Sequence, residues 1–163
     1  EAVRIHRDKA DLKTGDRIRD FMNRLIGGDV VVVVLSDKYL RSLPCMYELF
    51  GVYGKCQHDA DRFLKRVIPV VLPDAKISKD SDRMMRVRSW EQECEDLDHA
   101  IRGLKNVSDA GESVVNLGIM VDITHNLANM LAYLDDVLVP RDLEEMKRNG
   151  FIEIIELIRK GQR

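Results

Sequence analysis

Three cysteines, four prolines and a single tryptophan occur among the 163 residues, and the longest apolar run, Val30 to Leu35, has six members. A helix that spans a membrane needs about 20 apolar residues, so we expect no membrane segment. A small, odd number of cysteines favours a reducing compartment over a disulfide-stabilised fold. The first residues form no charged-then-apolar leader, and we therefore expect a cytoplasmic protein.

An excess of charge of one sign is also lacking, because the chain has 26 Lys and Arg residues and 28 Asp and Glu residues. Without a positive field we expect no binding of nucleic acid or of an anionic membrane surface. Hydrophobic residues make up 45% and charged residues 33% of the chain, which suits one packed domain. Cys56 and His58 could hold a metal only with a second pair of ligands, and no such pair follows at zinc-site spacing, so we predict no metal site.

The first half of the chain alternates strand-like and helix-like segments. The predicted elements are a strand at residues 2–6, a loop at 7–16, an amphipathic helix at 18–26, a buried strand at 29–36, a loop at 37–43, a helix beginning at Pro44 and a buried strand at 67–72. In the helix after Pro44, the apolar stripe is formed by Cys45, Leu49, Val52 and Tyr53. This βαβ order predicts a parallel α/β sheet.

The second half is predicted to be mainly helical. We expect a charged loop at residues 74–86, a short edge strand at 86–90, a helix at 91–104, a polar connector at 105–111, a long amphipathic helix at 116–138 and two short helices around Leu143–Met146 and Ile154–Ile158. The apolar stripe of the long helix covers about three heptads, so packing on its own sheet is favoured over pairing with a partner helix.

Two motifs carry most of the information about function. Residues 8–18 fit Asp-x-x-x-Leu-x-x-Gly-Asp-x-Ile, and residues 35–49 fit Leu-Ser-x-x-Tyr-x-x-Ser-x-x-Cys-x-x-Glu-Leu. In this order and spacing they resemble the BB loop and the third strand with its following helix in the TIR (Toll/interleukin-1 receptor) domain. The resemblance is close over residues 3–72 and looser over residues 74–138.

The resemblance implies a flavodoxin-like parallel sheet with helices on both faces. TIR domains begin with a strand and a helix that this chain lacks, and that strand would lie between the two strands predicted at residues 2–6 and 29–36. Without it, backbone groups in the sheet would lose their partners, so we expect residues 1–138 to be a TIR domain whose first strand and helix are missing here. Residues 139–163 are expected to form a helical extension or a linker.

Glu48 is the candidate catalytic residue. Its position alone, at the border of an apolar stripe and near a helix N-terminus, also suits a surface acid or a partner of the helix dipole. TIR domains that hydrolyse NAD+ carry their essential glutamate at this place in the motif. The resemblance therefore implies an NAD+ nucleosidase that releases nicotinamide and forms ADP-ribose or a cyclic ADP-ribose, with NAD+ as substrate and no further cofactor.

Other positions follow from the same motifs. Substrate contacts are expected from side chains around Glu48, namely Asp8, Ser36, Tyr39, Cys45 and Tyr47. Packing or capping roles remain open for several of these, since Tyr39 also suits a core and Asp8 a loop cap. Self-association with other TIR domains is expected through the BB loop, which comprises Asp11, Leu12, Lys13, Thr14, Gly15 and Asp16.

A non-catalytic adaptor is the alternative function. Many TIR domains act by binding other TIR domains, in which case Glu48 would be a structural residue of its helix. A receiver-like regulator is disfavoured because the acidic cluster expected at its first strand is absent from the sequence. The resemblance further implies a role in immune or anti-phage defence, with activation by assembly.

Overall fold

The computed structural model describes residues 30–137 and 143–161. The strand predicted at residues 2–6, the helix at 18–26, Asp8 and the BB loop lie outside the described residues. Within the described ranges the helices and strands are β1 (Val31–Leu35), α1 (Asp37–Leu40), α2 (Leu43–Lys55), α3 (Ala60–Arg66), β2 (Val67–Val71), α4 (Asp80–Arg102), α5 (Glu112–Asp135), α6 (Leu143–Arg148) and α7 (Ile152–Gly161). A 3₁₀ turn, Val107–Ala110, joins α4 to α5.

The two valine-rich segments pair as predicted. β1 and β2 are parallel neighbours, with Val31 opposite Val67 and Leu35 opposite Val71. The connection between them runs through helices α1 to α3, which makes this a βαβ unit. The α/β fold class with a parallel sheet and flanking helices is therefore confirmed, although helices dominate the described part of the chain.

The two faces of the sheet are covered unequally. On one face, Val33, Leu35 and Val67 are buried in the larger of two hydrophobic clusters, which we call the main core. Successive residues of a strand point to opposite faces, so Val32 and Val34 lie on the other face, where they are 40% and 48% exposed. The expectation of a strand buried on both faces is thus wrong for β1 within the described residues.

Helices α4 and α5 form an antiparallel pair that supplies much of the core. The inward face of α5 is fully buried at Ile123, Leu127, Met130, Leu131 and Leu134. These positions recur every three to four residues, as an amphipathic helix requires. The long helix predicted at 116–138 therefore exists, begins earlier at Glu112, and packs within its own domain.

The edge strand predicted at residues 86–90 is wrong. This segment lies in the middle of α4, which also replaces the second half of the loop predicted at 74–86. The buried residues of α4 are Arg86, Trp90, Cys94 and Ile101. Their spacing is helical, whereas a strand would place residues 86, 88 and 90 on one face. Arg88 is exposed, which fits only the helix.

The C-terminal helices pack on the second face of the sheet. Met146 of α6 and Ile154 of α7 form a small buried cluster with Val70 of β2. Gly150, between the two helices, has a φ of +63°, a conformation that glycine adopts without steric cost. Both short helices were predicted, and the assignment of residues 139–163 to an extension or linker remains a prediction.

Candidate functional site

The candidate site lies at the carboxyl ends of β1 and β2. The two ends are held together beyond the ladder, since the amide of Leu72 donates to the carbonyl of Leu35 at 2.9 Å. Ligands of open α/β sheets bind beside this edge because the connecting loops open there. The connection from β1 to α2, residues 36–42, carries the candidates Ser36 and Tyr39, and a loop was predicted at residues 37–43. It contains the short helix α1 instead.

The two serines of the motif are helix caps. The Oγ atom of Ser36 accepts a hydrogen bond from the amide of Tyr39 at 3.1 Å and begins α1. Ser42 does the same for α2, where its Oγ accepts from the amide of Cys45 at 3.5 Å. Each hydroxyl satisfies an amide that has no partner within its own helix. The two serines of the motif therefore mark the starts of two consecutive helices, α1 and α2.

Tyr39 links α1 to α2. Its hydroxyl donates a hydrogen bond to the carbonyl of Cys45 at 3.0 Å. Burial raises the pKa of Tyr39, and the negative charge of Glu48 raises this pKa further. Tyr39 is therefore a neutral hydrogen-bond donor at physiological pH. Glu48 is near enough to Tyr39 for its charge to affect the pKa of the phenol.

Glu48 lies in α2 one turn after Cys45 and is half-buried. Its neighbour Leu49 is fully buried in the main core. Glu48 therefore occupies the border between the core and the solvent-facing side of α2, as its position in the sequence predicted.

The remaining candidates on α2 have different surroundings. Cys45 is only half-buried, and the fully buried position in the first turn of α2 is Met46. The predicted stripe was therefore wrong by one residue at its start. Tyr47 is half-buried and packs against the main core. Tyr39 is hydrogen-bonded to Ser36 and Cys45 and lies near Glu48, and the rings of Tyr39 and Tyr47 both pack against the main core.

An arginine from α4 reaches the same region, and sequence reasoning missed it. Arg86 is 9% exposed; its guanidinium donates to Oδ1 of Asp37 at 2.8 Å and to the carbonyl of Ala75 at 3.1 Å. Arg41 donates to the other carboxylate oxygen of Asp37 at 2.8 Å. The hydrogen bonds from Arg41 and Arg86 hold the pKa of Asp37 below its usual value. The signal for Arg86 was present in the spacing of 86, 90 and 94, which is that of a helix face.

The possible metal ligands are dispersed. Cys56 is buried, whereas His58 is exposed and its ring lies 4.8 Å from that of Tyr53 and 5.9 Å from that of Phe50. Within residues 30–137 and 143–161, no three His, Cys, Asp or Glu side chains are grouped so that they could hold a metal ion.

Comparison with known families identifies the family to which the first part of the chain is similar. The family model for the TIR domain matches residues 1–102 of this chain. Neither the comparison with curated proteins nor that with solved structures gives a match. None of the helices in the described ranges combines the length and the hydropathy needed to cross a bilayer.

Proposed function

Because this chain belongs to the TIR-domain family, we propose that it is a cytoplasmic NAD+ nucleosidase that becomes active when copies of the protein self-associate. In this proposal Glu48 is the catalytic residue. The reaction breaks the bond between nicotinamide and ribose and releases nicotinamide. The product that retains the ribose is ADP-ribose or its cyclic form, and the activity serves immune or anti-phage defence.

The chemistry explains how one carboxylate can suffice. The nicotinamide ring of NAD+ is cationic and leaves as a neutral molecule, so no general acid needs to protonate it. Positive charge then develops on the ribose, as it does in the cleavage of other glycosidic bonds. A fixed anion beside the sugar stabilises that transition state more than the ground state. Water or the adenine of the same molecule then attacks the ribose carbon.

The position of Glu48 supports this role. The side chain belongs to a 13-residue helix that begins at the cap Ser42, seven residues after the end of β1. Its half-buried environment limits screening by water, so a charge developing beside it would be stabilised more than in bulk solvent. The observation that carries the proposal is this placement, near the half-buried Tyr39 and in the segment that follows the carboxyl end of β1, where α/β folds bind ligands.

A TIR domain that acts only by binding other TIR domains remains the second candidate. TIR domains commonly associate with one another, and such an adaptor would need no catalytic group. Glu48 would then serve its helix, and its replacement would leave signalling intact if the fold survived. The two functions are compatible, because assembly can complete a site that a single copy lacks.

The test is release of nicotinamide from NAD+ by the intact protein, measured by chromatography with the protein dilute and with it clustered on a multivalent support. Wild type is compared with Glu48→Gln, which removes the charge and keeps the shape. Glu95→Gln on the exposed face of α4 is the matched control, because it makes the same chemical change on a side chain that contacts solvent.

We expect turnover by clustered wild type and by Glu95→Gln, and a loss of about 10²–10³-fold in kcat for Glu48→Gln, as is typical when one preorganised electrostatic group is removed. If no protein releases nicotinamide even when clustered, the adaptor function is favoured. Turnover that is undiminished in Glu48→Gln would remove Glu48 from the mechanism.

A further inference from the structure

We infer that Arg86 is a positioning residue for the proposed site: it fixes helix α1, and through α1 it sets where Tyr39 lies against the first turn of the helix that carries Glu48. The inference rests on the proposed function for its effect on turnover. Its structural half, that Arg86 holds α1, can be tested without any substrate.

Helix α1 is too short to be stable by itself. It has four residues, Asp37–Leu40, and an isolated helix of this length is strongly disfavoured because so few hydrogen bonds offset the cost of nucleation. Two hydrogen bonds from α4 hold its two ends. Arg86 donates to the carboxylate of Asp37, and the indole Nε1 of Trp90 donates to the carbonyl of Leu40 at 2.9 Å.

Arg86 also joins α1 to the loop after β2. Its second terminal nitrogen donates to the carbonyl of Ala75, and Asp74 of the same loop accepts from the amide of Asp37 at 3.2 Å. The planar guanidinium supplies both donations in a fixed geometry, which a lysine ammonium cannot reproduce. Arg86 therefore connects three segments that meet at the carboxyl ends of the strands.

The connection to the candidate site runs through Tyr39. This residue lies between the two anchored ends of α1, and its hydroxyl reaches the carbonyl of Cys45 in the first turn of α2. Glu48 follows one turn later on the same helix. A shift of α1 would move the phenol and loosen the start of α2, and misplacement by about 1 Å can cost a large factor in rate.

The experiment compares wild type, Arg86→Met and Arg86→Lys with the control Arg102→Met. Arg102 is the matched choice because it lies on the same helix and pairs with Asp98 at 2.7 Å, but its side chain is 78% exposed. Two quantities are measured on each protein. The first is hydrogen exchange at the amides of Leu40 and Arg41, which donate within α1 and its cap. The second is kcat and KM for nicotinamide release by clustered protein, corrected for the folded fraction.

We expect Arg86→Met to speed exchange at both amides by at least tenfold while amides of α5 keep their protection. We expect its kcat to fall by about 10–100-fold with KM within a factor of two, because the group that acts in the transition state is displaced and substrate binding is retained. Arg86→Lys should lie between wild type and Arg86→Met, and Arg102→Met should match wild type in both measurements.

Each other outcome is decisive. Unchanged exchange in Arg86→Met overturns the claim that Arg86 holds α1. Faster exchange with unchanged kcat overturns the claim that the position of α1 matters for turnover. A fall of equal size in Arg102→Met assigns the effect to the general loss of a charge on α4, which also overturns the inference. If wild type itself releases no nicotinamide, the proposed function fails, and the exchange data still decide the structural half.

Discussion

Replacing Trp90 with phenylalanine tests the helical assignment of residues 86–90 and the packing beneath the candidate site. Trp90 is the only tryptophan of the chain and is 1% exposed. Its indole N–H donates to the carbonyl of Leu40, a residue that is itself fully buried. Phenylalanine keeps an aromatic ring in the core but has no donor, so the carbonyl loses this partner.

The magnitude follows from two losses. Leaving a buried acceptor without its partner costs about 1–3 kcal/mol. The smaller ring removes about three buried heavy atoms, which at roughly 0.8 kcal/mol per buried methylene adds about 2 kcal/mol. We therefore expect Trp90→Phe to lower the free energy of unfolding by about 3–5 kcal/mol. At about 2–4 °C per kcal/mol for a chain of this size, Tm should fall by about 6–20 °C.

The matched control is Arg88→Ala. In a helix, Arg88 faces solvent while Arg86 and Trp90 face inward, and the structure shows this arrangement. Exposed substitutions of this kind change stability by about 0.5 kcal/mol or less. Unfolding is followed by far-UV circular dichroism in urea, because Trp90→Phe removes the tryptophan fluorescence. Equal effects of the two substitutions, or a loss below about 1 kcal/mol for Trp90→Phe, would refute the reasoning.

Four further substitutions test other parts of the fold. Gly118→Ala, in the exposed interior of α5 with open space around a new Cβ, should raise stability by about 0.5–1 kcal/mol; Gly111→Ala, at φ +49°, should lower it by about 1–3 kcal/mol through backbone strain. Tyr39→Phe should cost about 0.5–1.5 kcal/mol in urea unfolding, since it removes the hydrogen bond to Cys45 and keeps the ring. The pKa of Asp37 is lowered in the folded state, mainly by Arg41 and then by Arg86. The carboxylate therefore stabilises the fold at pH values above its usual pKa of 3.8. This contribution is lost as the pH falls through the lower pKa of the folded state. Asp37→Asn should therefore be less stable than wild type at pH 7, and the difference should shrink below about pH 4.

Each of these has a contradicting result. Equal effects of the two glycine substitutions would contradict the distinct backbone conformations of positions 111 and 118. A Tyr39→Phe variant as stable as wild type would show that the hydroxyl contributes nothing beyond solvation. A stability difference for Asp37→Asn that is independent of pH between 7 and 3 would contradict the charge-assisted contacts of this carboxylate.

The parts of the fold that the sequence predicted are those where local pattern and final environment agree. β1 and β2 are β-branched runs of strand length, and α2 combines a serine cap, Pro44 in its first turn and an apolar stripe. In such segments the local sequence favours the same secondary structure that the folded domain requires. Glu48 was placed correctly at the border of its stripe for the same reason.

The parts that were missed depend on distant contacts. The alternation of Arg86, Val87, Arg88 and Ser89 resembles an edge strand, and only the longer spacing to Cys94 and Ile101 indicates the helix. Helix α1 depends on donors that lie 49 and 50 residues further along the chain. A buried arginine also resembles a solvated charge in the sequence, because its partners Asp37 and Ala75 are not its neighbours.

The most direct measurement of the central claim is the rate at which preassembled protein releases nicotinamide when Glu48 alone is neutralised. We expect that the assembled wild-type protein turns over NAD+ and that Glu48→Gln, folded and assembled to the same extent, is slower by about 10²–10³-fold. Equal rates from the two proteins would contradict this claim.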